Sequence, residues 1–323
     1  MKAILVADDK SLVWGDFEDP VPGDNDVLIR VAATAINRAD LVQRHGGYPP
    51  PAGASPILGL ECAGEVVEAG SACTRYKTGD QVCALLPGGG YAEYAVVDEG
   101  SVLPIPVGLK VSEAAGIPEV FATAWLNLFM EANLQFGEKV VLHAGASGVG
   151  TAGIQLCRSF GAESFVTVGS AEKLATCLDL GAASGANRHD GPFLEKAQVF
   201  APEGVDVVLD PVGAGYLADN IKLLRTGGRL VLIGLLGGAR AEIDLAQVLM
   251  KRARIIGSTL RARPLIEKAE VMAQLEAKVW PLIEAGEIKV VVDRVFPIEE
   301  ASQAHDLVAS DQTIGKVIME LNH

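Results

Sequence analysis

The sequence predicts an α/β protein in which a doubly wound parallel sheet of six strands is inserted into a mostly antiparallel β domain. The prediction rests on a change of rhythm along the 323 residues. Up to about residue 121, short β-branched runs such as Asp26–Ala33 and Cys62–Glu68 alternate with Gly, Pro and Asp, which is typical of an antiparallel barrel or sandwich. From about residue 122, strand, glycine turn and helix alternate, which indicates parallel strands joined by crossover helices.

The second region carries six predicted strands, each a short apolar run bounded by polar residues or glycine. They are Lys139–His143, Ser164–Val168, Gly185–Asn187, Val205–Asp210, Arg229–Gly234 and Arg254–Thr259. Apolar spacing predicts the helices between them. These are Thr151–Phe160, Glu172–Leu180, Phe193–Phe200, Leu217–Leu224 and Leu245–Lys251. Six strands in this order make two mononucleotide-binding halves.

Beyond residue 261 the pattern predicts a helix over Pro264–Ala285 and two alternating strands, Val290–Pro297 and Ile314–Leu321. We assign these elements to the first domain. The predicted division is therefore residues 1–121 with 262–323 for the β domain, and residues 122–261 for the parallel domain.

Composition excludes several classes of partner and location. The formal net charge is −14 and no run of Lys or Arg offsets it, so we expect no nucleic-acid partner. The apolar runs are strand-length and the N-terminal run is too short for a signal peptide, so we expect neither a membrane partner nor export. The five cysteines are odd in number and form no C-x-x-C pair, which argues against disulfides and a zinc knuckle. These observations predict a cytoplasmic protein.

One glycine-rich turn joins a predicted strand to a predicted helix. Residues 140–150 read VVLHAGASGVG, which is the context of a dinucleotide-binding loop. Any strand–turn–helix connection favours glycine, but the correct flanks on both sides favour the binding role. The loop residues predicted to bind the cofactor are Gly145, Ser147, Gly148, Val149 and Gly150, with Ser147 in place of the usual second glycine.

The end of the second parallel strand predicts which dinucleotide binds. NAD enzymes usually place Asp or Glu there, to accept hydrogen bonds from the ribose 2′-hydroxyl. This chain has Gly169, Ser170 and Lys173, which leave room for a 2′-phosphate and offer donors to it. We therefore predict NADPH as the cofactor. The alternative is that Lys173 is an ordinary solvated helix residue.

Several motifs along the chain occur together in one known family. They are residues 35–40 (AINRAD), 46–51 (GGYPPP), 57–61 (ILGLE), 143–151 (HAGASGVGT), 234–238 (GLLGG), 258–261 (STLR) and 314–316 (IGK). The chain resembles the zinc-lacking quinone oxidoreductases of the medium-chain dehydrogenase/reductase superfamily, most of all the p53-inducible quinone oxidoreductase branch, over essentially its whole length. The resemblance implies a GroES-like, barrel-shaped catalytic domain, a Rossmann domain for NADPH and an active site in the cleft between them. It also implies a homodimer joined through the last Rossmann strand, near Arg254–Leu260.

The resemblance also bears on metal binding. Zinc alcohol dehydrogenases of the superfamily hold a catalytic metal with two Cys and one His, and the matching positions here are Asn37, Leu60 and Glu119. Leucine cannot ligate and asparagine is a poor zinc ligand, so Glu119 alone cannot hold the ion. We interpret the neighbours His45, Glu61 and Cys62 as loop, cleft-wall or buried-strand residues, and we predict a site without metal.

Three residues are predicted to take part in catalysis. Tyr48, on the proline-rich loop 48–56, is the candidate proton or hydrogen-bond donor, and its alternative is a tyrosine that only packs over the cleft mouth. Asn37 and Asp40 match the family segment that faces the nicotinamide. Asn37 is expected to bind substrate or cofactor, while Asp40 is equally suited to cap the following helix.

Further cofactor contacts follow from the resemblance. Thr123 matches a position near the nicotinamide, although a β-branched core residue is the plain alternative. The backbone of Leu235 and Leu236 is expected to bind the carboxamide. The other predicted contacts are Lys316 at the ribose or phosphates and Arg261 at the adenine phosphate end or the dimer edge. Arg188 departs from the family, in which many relatives have a Tyr near the adenosine, and it is predicted to bind the 2′-phosphate instead.

The predicted activity is NADPH-dependent reduction of a small quinone. Without a Lewis acid an alcohol is hard to oxidise, whereas a quinone accepts a hydride readily because the charge delocalises into an aromatic ring. A second reading is an NADPH-dependent enoyl or enone reductase, which needs a general acid to protonate carbon. A third is a non-catalytic nucleotide-binding protein, which fold alone does not exclude.

Overall fold

The computed structural model describes residues 1–321, which divide into two compact units. Unit 1 comprises Met1–Ala122 and the residues from Leu260 onward, and unit 2 comprises Thr123–Thr259. The first boundary thus follows residue 122 where 121 was predicted, and the second follows residue 259 where 261 was predicted.

Strands and helices are numbered in chain order. The strands are β1 (Lys2–Val6), β2 (Leu12–Asp16), β3 (Asp26–Ala35), β4 (Glu61–Ala69), β5 (Gln81–Leu85), β6 (Tyr94–Asp98), β7 (Val102–Pro104), β8 (Lys139–Leu142), β9 (Glu163–Val168), β10 (Ser184–Asn187), β11 (Val205–Asp210), β12 (Leu224–Leu232), β13 (Arg254–Gly257), β14 (Val292–Pro297) and β15 (Lys316–Glu320). The helices are α1 (Arg38–Arg44), α2 (Val111–Ala114), α3 (Pro118–Trp125), α4 (Gly148–Ser159), α5 (Ala171–Asp179), α6 (Phe193–Phe200), α7 (Leu217–Leu223), α8 (Leu245–Lys251), α9 (Leu265–Lys278), α10 (Trp280–Glu284) and α11 (Ala301–Ala309).

Unit 2 is built on a parallel sheet of six strands in the order β10-β9-β8-β11-β12-β13. Every neighbouring pair in this sheet is parallel. This order is that of the Rossmann fold, in which the first three strands extend the sheet to one side of the first strand and the last three extend it to the other side. All six residues of β11 are buried, because helices cover both faces of a central parallel strand.

Unit 1 is built on a mostly antiparallel sheet in the order β14-β15-β3-β4-β5-β7, with β6 also paired to β3. Along β3 buried and half-buried residues alternate, because one face of the strand packs on the core. The β14–β15 pair is the parallel exception, and β15 joins the earlier part of the chain by pairing with β3. The predicted fold class, an antiparallel GroES-like domain with a Rossmann domain, is confirmed.

Several predicted elements differ by a few residues at their ends, and two differ from the structure more than the others. The strand predicted at Arg229–Gly234 is β12, which starts at Leu224 and ends at Leu232. The single helix predicted over Pro264–Ala285 is two helices, α9 and α10, which meet at Val279. Pro281 explains the break, because its nitrogen carries no hydrogen for the helical ladder and its ring opposes the preceding turn. Within residues 1–321, no helix is both long and apolar enough to cross a membrane.

Candidate functional site

The glycine loop of unit 2 has the geometry of a phosphate-binding turn. Ala144, between β8 and the loop, adopts a left-handed conformation with φ of 53°, which is strained for a non-glycine residue. Ser147 then caps α4, and its Oγ accepts a hydrogen bond of 3.1 Å from the Gly150 N–H. A Cβ at Gly150 would lie 2.4 Å from the Gly145 carbonyl oxygen, so only glycine fits. The N-terminal amides of α4 therefore remain close to the strand end, where a pyrophosphate would bind them.

A buried chain of side chains fixes the strand ends beneath this loop. Asn220 donates through Nδ2 to Asp210 at 3.0 Å, so its Oδ1 faces His143 as an acceptor, 2.7 Å from Nε2. His143 Nε2 is therefore the protonated ring nitrogen, and Nδ1 accepts from the Thr167 hydroxyl at 3.0 Å. Burial lowers the pKa of His143 to about 4, so the ring is neutral. The chain ties the carboxyl ends of β8, β9 and β11 to α7.

The predicted 2′-phosphate residues lie together at the end of β9. A Cβ at Gly169 would stand 3.3 Å from Arg188 Nη2, so the guanidinium lies directly beside the glycine. Ser170 caps α5, since its Oγ accepts from the Lys173 N–H at 3.2 Å, and only its hydroxyl hydrogen is left to donate. Lys173 is buried and is therefore not the solvated helix residue of the alternative reading.

The remaining predicted contacts of unit 2 are partly engaged by the protein. The Leu236 N–H donates to Pro211 and the Leu235 carbonyl accepts from Gly238. The prediction that this backbone binds the carboxamide therefore still applies to two groups, the Leu235 N–H and the Leu236 carbonyl. The Thr123 carbonyl accepts from Asn127 Nδ2 at 2.7 Å, and the Thr123 side chain is half-buried.

Unit 1 holds an ammonium–carboxylate cluster. Lys316 Nζ lies 2.8 Å from Glu61 Oε1, 2.8 Å from Asn37 Oδ1 and 2.8 Å from the Ile36 carbonyl. Lys316 and Glu61 are 4% and 0% exposed. An ammonium has three donors, so all of them are used here. In this arrangement Lys316 therefore has no unused donor for the ribose or phosphates, which it was predicted to contact.

Asn37 completes the same cluster. Its Nδ2 donates to Glu61 Oε1 at 2.9 Å while its Oδ1 accepts from Lys316. The other oxygen of the carboxylate, Glu61 Oε2, accepts from the backbone N–H of Glu119 at 2.9 Å. Asn37 is thus a positioning residue for the ion pair, which the sequence prediction of a direct substrate contact did not anticipate.

Glu119 is the acidic group with the most altered titration in this cluster. Burial, and then the carboxylate of Glu61, raise the pKa of Glu119 to about 8. The side chain is therefore mostly a neutral carboxylic acid at pH 7. A protonated carboxyl can donate a hydrogen bond or a proton, which ionised Glu61 cannot.

Asp40 lies on the first turn of α1 and is completely buried. Its Oδ2 accepts from the Asn37 N–H at 2.8 Å and its Oδ1 from the Gly59 N–H at 3.1 Å. Burial raises the pKa of Asp40 to about 6 against these donors. The Tyr91 hydroxyl lies 3.1 Å from Asp40 Oδ2 and 3.2 Å from His305 Nε2. The capping reading of Asp40 is thus supported, and its catalytic role stays a prediction.

Tyr48 and Arg261 form a pair. Arg261 Nη1 donates to the Tyr48 carbonyl at 3.2 Å, its Nε donates to the Pro87 carbonyl at 2.7 Å, and its Cζ lies 5.1 Å from the centre of the Tyr48 ring. Burial, then the Glu119 carboxyl, raise the pKa of the Tyr48 phenol, so it stays protonated. These bonds tie Arg261 to the Tyr48 loop of unit 1; its predicted place at the adenine phosphate stays a prediction.

The donor set at the superfamily's zinc position does not fit zinc. Leu60 offers no ligand atom, the Asn37 amide is used by Glu61 and Lys316, and the Lys316 ammonium would repel a cation. Among residues 1–321, no three His, Cys, Asp or Glu side chains are grouped so that they could hold a metal ion.

Sequence reasoning missed several members of these clusters. Glu119 was considered only as a metal ligand, Glu61 was interpreted as a cleft-wall or buried-strand residue, and Tyr91 and His305 were not singled out. A signal was present for Glu61, since this acidic residue opens β4 (ECAGEVVEA) and is followed by the small residues Cys62, Ala63 and Gly64. Its partner Lys316 is remote in sequence, so only the fold reveals the pair.

Comparisons with known proteins identify the family of the chain. Family models match residues 148–277 as a zinc-binding dehydrogenase and residues 23–107 as an alcohol dehydrogenase GroES-like domain. The quinone oxidoreductase of Rattus norvegicus is 32% identical over 309 residues, which cover 95% of this chain and 92% of the relative. The quinone oxidoreductase of Thermus thermophilus, whose structure was also solved in complex with NADPH, is 32% identical with a TM-score of 0.84 and covers 99% of this chain and 100% of its own. The enoyl reductase CurK is 28% identical with a TM-score of 0.84, over 99% of each chain.

A Rossmann unit inserted into a GroES-like unit, with matches of this extent, defines an oxidoreductase of the medium-chain dehydrogenase/reductase type. The chain belongs to the medium-chain dehydrogenase/reductase family. Within that family it is similar along most of its length to quinone oxidoreductases, which confirms the resemblance predicted from the motifs.

Proposed function

We propose that this chain is an NADPH-dependent quinone reductase that works without zinc. The observation that carries the proposal is the Lys316–Glu61–Asn37 cluster. Asn37 stands at a position that matches a zinc ligand of the superfamily, and its amide is hydrogen-bonded to a buried ion pair instead of being available to a metal. Such a site suits an acceptor that takes a hydride without a Lewis acid, and a quinone is an acceptor of that kind. Similarity to quinone oxidoreductases supports the same choice.

NADPH is the proposed cofactor, and it would supply the hydride. The glycine loop is a cradle in which a Cβ at Gly150 has no room, which fits a pyrophosphate against the start of α4. Gly169 with Arg188 and Lys173 fits a 2′-phosphate. The guanidinium beside the glycine would attract this phosphate, whereas the carboxylate that NAD enzymes usually have there would repel it. The Thermus relative, solved with NADPH, supports this preference.

The chain's own residues would bind the acceptor and supply one proton. The Tyr48 phenol and the Glu119 carboxylic acid are both protonated at neutral pH. A neutral acid of pKa about 8 donates more readily than a phenol whose pKa is raised above its usual 10. Glu119 therefore joins Tyr48 as a candidate donor.

A second candidate function is reduction of an enone or enoyl substrate. The Glu119 carboxylic acid favours it, since protonation of a carbon needs a general acid. Similarity to the enoyl reductase CurK favours it as well. If an assay finds no turnover of either class of acceptor, the result would indicate a protein that binds the nucleotide without catalysis.

We also propose a homodimer and a cytoplasmic location. β13 lies at the edge of the unit 2 sheet, and α8, which precedes it, has no buried residue. The exposed apolar side chains of this surface are Leu245, Leu249 and Met250. A second copy paired along β13 would cover the open edge and this apolar surface together. The five free cysteines support the proposed location, since thiols persist in a reducing compartment.

NADPH absorbance followed with 1,4-benzoquinone, phenanthrenequinone and cyclohexenone tests the function, with NADH and a chelator in parallel. We expect rapid, chelator-insensitive turnover of the quinones with NADPH. Enone turnover without quinone turnover would move the chain to the second function, and silence with every acceptor would leave nucleotide binding alone.

A matched pair of variants assigns the activity to the loop. Gly150→Ala should abolish turnover, since its Cβ would meet backbone atoms at 2.4 Å. Gly153→Ala, on the same helix, meets only the ends of the Leu142 and Leu128 side chains, at 3.3 Å or more, and should retain turnover. Equal activity in both variants would contradict the role of the loop.

A further inference from the structure

Arg261 is held in unit 1 by two bonds that leave one end of its guanidinium unused. Nε and Nη1 donate to the carbonyls of Pro87 and Tyr48, at 2.7 and 3.2 Å. The residue is 5% exposed, and Nη2 has no hydrogen-bond partner among residues 1–321. Because two of its three nitrogens are fixed by backbone groups, the direction of the third is fixed too.

A buried donor without a partner is uncommon, since it loses its bond to water and gains nothing in return. Such a group is expected to find an acceptor when the site is filled. Arginine stays charged in proteins, so the acceptor that suits it best carries negative charge or develops it during a reaction.

The surroundings of Nη2 identify what kind of acceptor would fit. The guanidinium lies over the Tyr48 ring, so an aromatic face is adjacent. The Glu119 carboxyl is near enough to influence the titration of both Tyr48 and Arg261. On the side of Gly88 the backbone packs closely, since a Cβ built there would lie 2.6 Å from the Ser55 carbonyl oxygen and 3.5 Å from Nη2. The buried Nη2 therefore lies near an aromatic ring and a protonatable acid but is hydrogen-bonded to neither.

We propose that Arg261 binds the carbonyl oxygen of the acceptor through Nη2 and stabilises the negative charge that hydride transfer places on that oxygen. The inference rests on the proposed quinone reductase function and assigns its acceptor-binding residue. The acceptor gains a hydride, with its electron pair, from NADPH, which becomes NADP⁺. The resulting anion pairs with Arg261 and then takes one proton, from Glu119, Tyr48 or water, to give the hydroquinone.

The role differs from binding of the cofactor phosphate, which the sequence suggested for Arg261. A phosphate contact is made equally before and during hydride transfer, so its loss weakens cofactor binding. An oxyanion contact strengthens as the charge develops, so its loss lowers kcat.

The test compares Arg261→Gln and Arg261→Lys with the wild type and with Arg30→Gln. Arg30 is a control in the same unit, a half-exposed arginine paired with Glu65 at 3.1 Å. Measurements are kcat and KM with a series of substituted 1,4-benzoquinones, the Kd of NADPH by fluorescence titration, and the melting temperature.

For Arg261→Gln we expect kcat to fall by about a hundredfold to a thousandfold, as for removal of one oxyanion donor, while the Kd of NADPH stays close to that of the wild type. The loss should be smallest for quinones with electron-withdrawing substituents, which delocalise the charge themselves; a merely structural role would lower all rates by one factor. Arg261→Lys, which keeps the charge, should recover part of the rate, and it replaces Arg261→Gln if the latter does not fold.

Unchanged kcat in both variants would overturn the inference, as would a loss confined to the Kd of NADPH. Either result would leave the wild-type quinone turnover intact. Failure of the proposed function is a different observation, because there the wild type itself would turn over no quinone.

Discussion

Glu119 lies at one of the three positions that match zinc ligands in the superfamily, yet its charge state is set by burial and by a neighbouring carboxylate. Burial and the Glu61 carboxylate raise its pKa to about 8, while Lys316 opposes the shift. The ammonium of Lys316 forms its ion pair with Glu61. The residue that lacks a cation of its own is thus the one that holds a proton at neutral pH.

The pH dependence of activity should report this proton. If Glu119 donates the proton, kcat/KM for a quinone falls as the pH rises through about 8, since the acid form is lost there. Glu119→Gln should lower kcat by about a hundredfold and remove this limb of the pH profile. Glu68→Gln, at an exposed position of β4, should behave as the wild type. A Glu119→Gln variant with the wild-type limb would exclude Glu119 as the donor.

The free energy of unfolding should also depend on pH because of Glu119, and the direction of this dependence follows from the raised pKa. The pKa of Glu119 rises from 4.5 in the unfolded chain to about 8 in the folded one, so the folded state binds more protons between these values. The free energy of unfolding therefore falls as the pH rises from 4.5 to about 8. Urea unfolding across this range should be less pH-dependent in Glu119→Gln; an identical dependence would contradict the raised pKa.

The proposed preference for NADPH rests in part on Gly169, at the end of β9. Gly169→Asp would place a carboxylate beside Arg188, where the 2′-phosphate is proposed to bind. We expect the ratio of kcat/KM for NADPH to that for NADH to fall by about tenfold or more, the equivalent of about 1.4 kcal/mol. Gly169→Ala is the control for bulk alone. An equal loss with both cofactors in Gly169→Asp would contradict the phosphate assignment.

At the scale of elements, the His143–Asn220–Asp210 chain joins three strand ends to α7. Asn220→Leu would leave His143 Nε2 and one Asp210 oxygen buried without their partner. Each such loss costs about 1–3 kcal/mol, so we expect a decrease of this order or more in the free energy of unfolding by urea. Gln198→Leu, at an exposed position of α6, should change it little. A neutral Asn220→Leu would mean that the chain does not stabilise the strand ends.

The elements of unit 2 were predictable because their signals are local. The bounds of β11, α6 and α8 agree with the apolar runs, and the glycine loop was identified from its flanks. The start of β12 was missed, since only Leu224 pairs there, with Val205, and the polar or flexible residues 225–228 form an irregularity before the pairing with β11 resumes at Arg229. The Lys316–Glu61 pair and the unused Nη2 of Arg261 arise from residues far apart in the chain, which no periodicity reveals.

For the whole molecule, the proposed dimer makes a measurable prediction. Leu249→Glu would place a charge on the apolar surface of α8, where Leu249 is 77% exposed. Light scattering after size-exclusion chromatography should then give the 33.8 kDa of one chain, against twice that for the wild type. Val199→Glu, at an 82% exposed apolar position of α6, is the matched control and should remain a dimer. A monomeric wild type, or a dimeric Leu249→Glu, would contradict the proposed interface.

The pairing of β15 with β3 has a consequence for the order in which the molecule folds during synthesis. Unit 2 is one continuous segment, whereas in unit 1 the Lys316 ammonium bonds the carbonyl of Ile36, 280 residues earlier. Until Lys316 is made, the buried Glu61 carboxylate lacks its Lys316 partner, so we expect unit 2 to fold first and the nascent β3–β4 pair to stay unprotected. Hydrogen exchange on stalled nascent chains that end before Lys316 should find protection in β8–β13 and little in β3; strong protection in β3 would contradict this order.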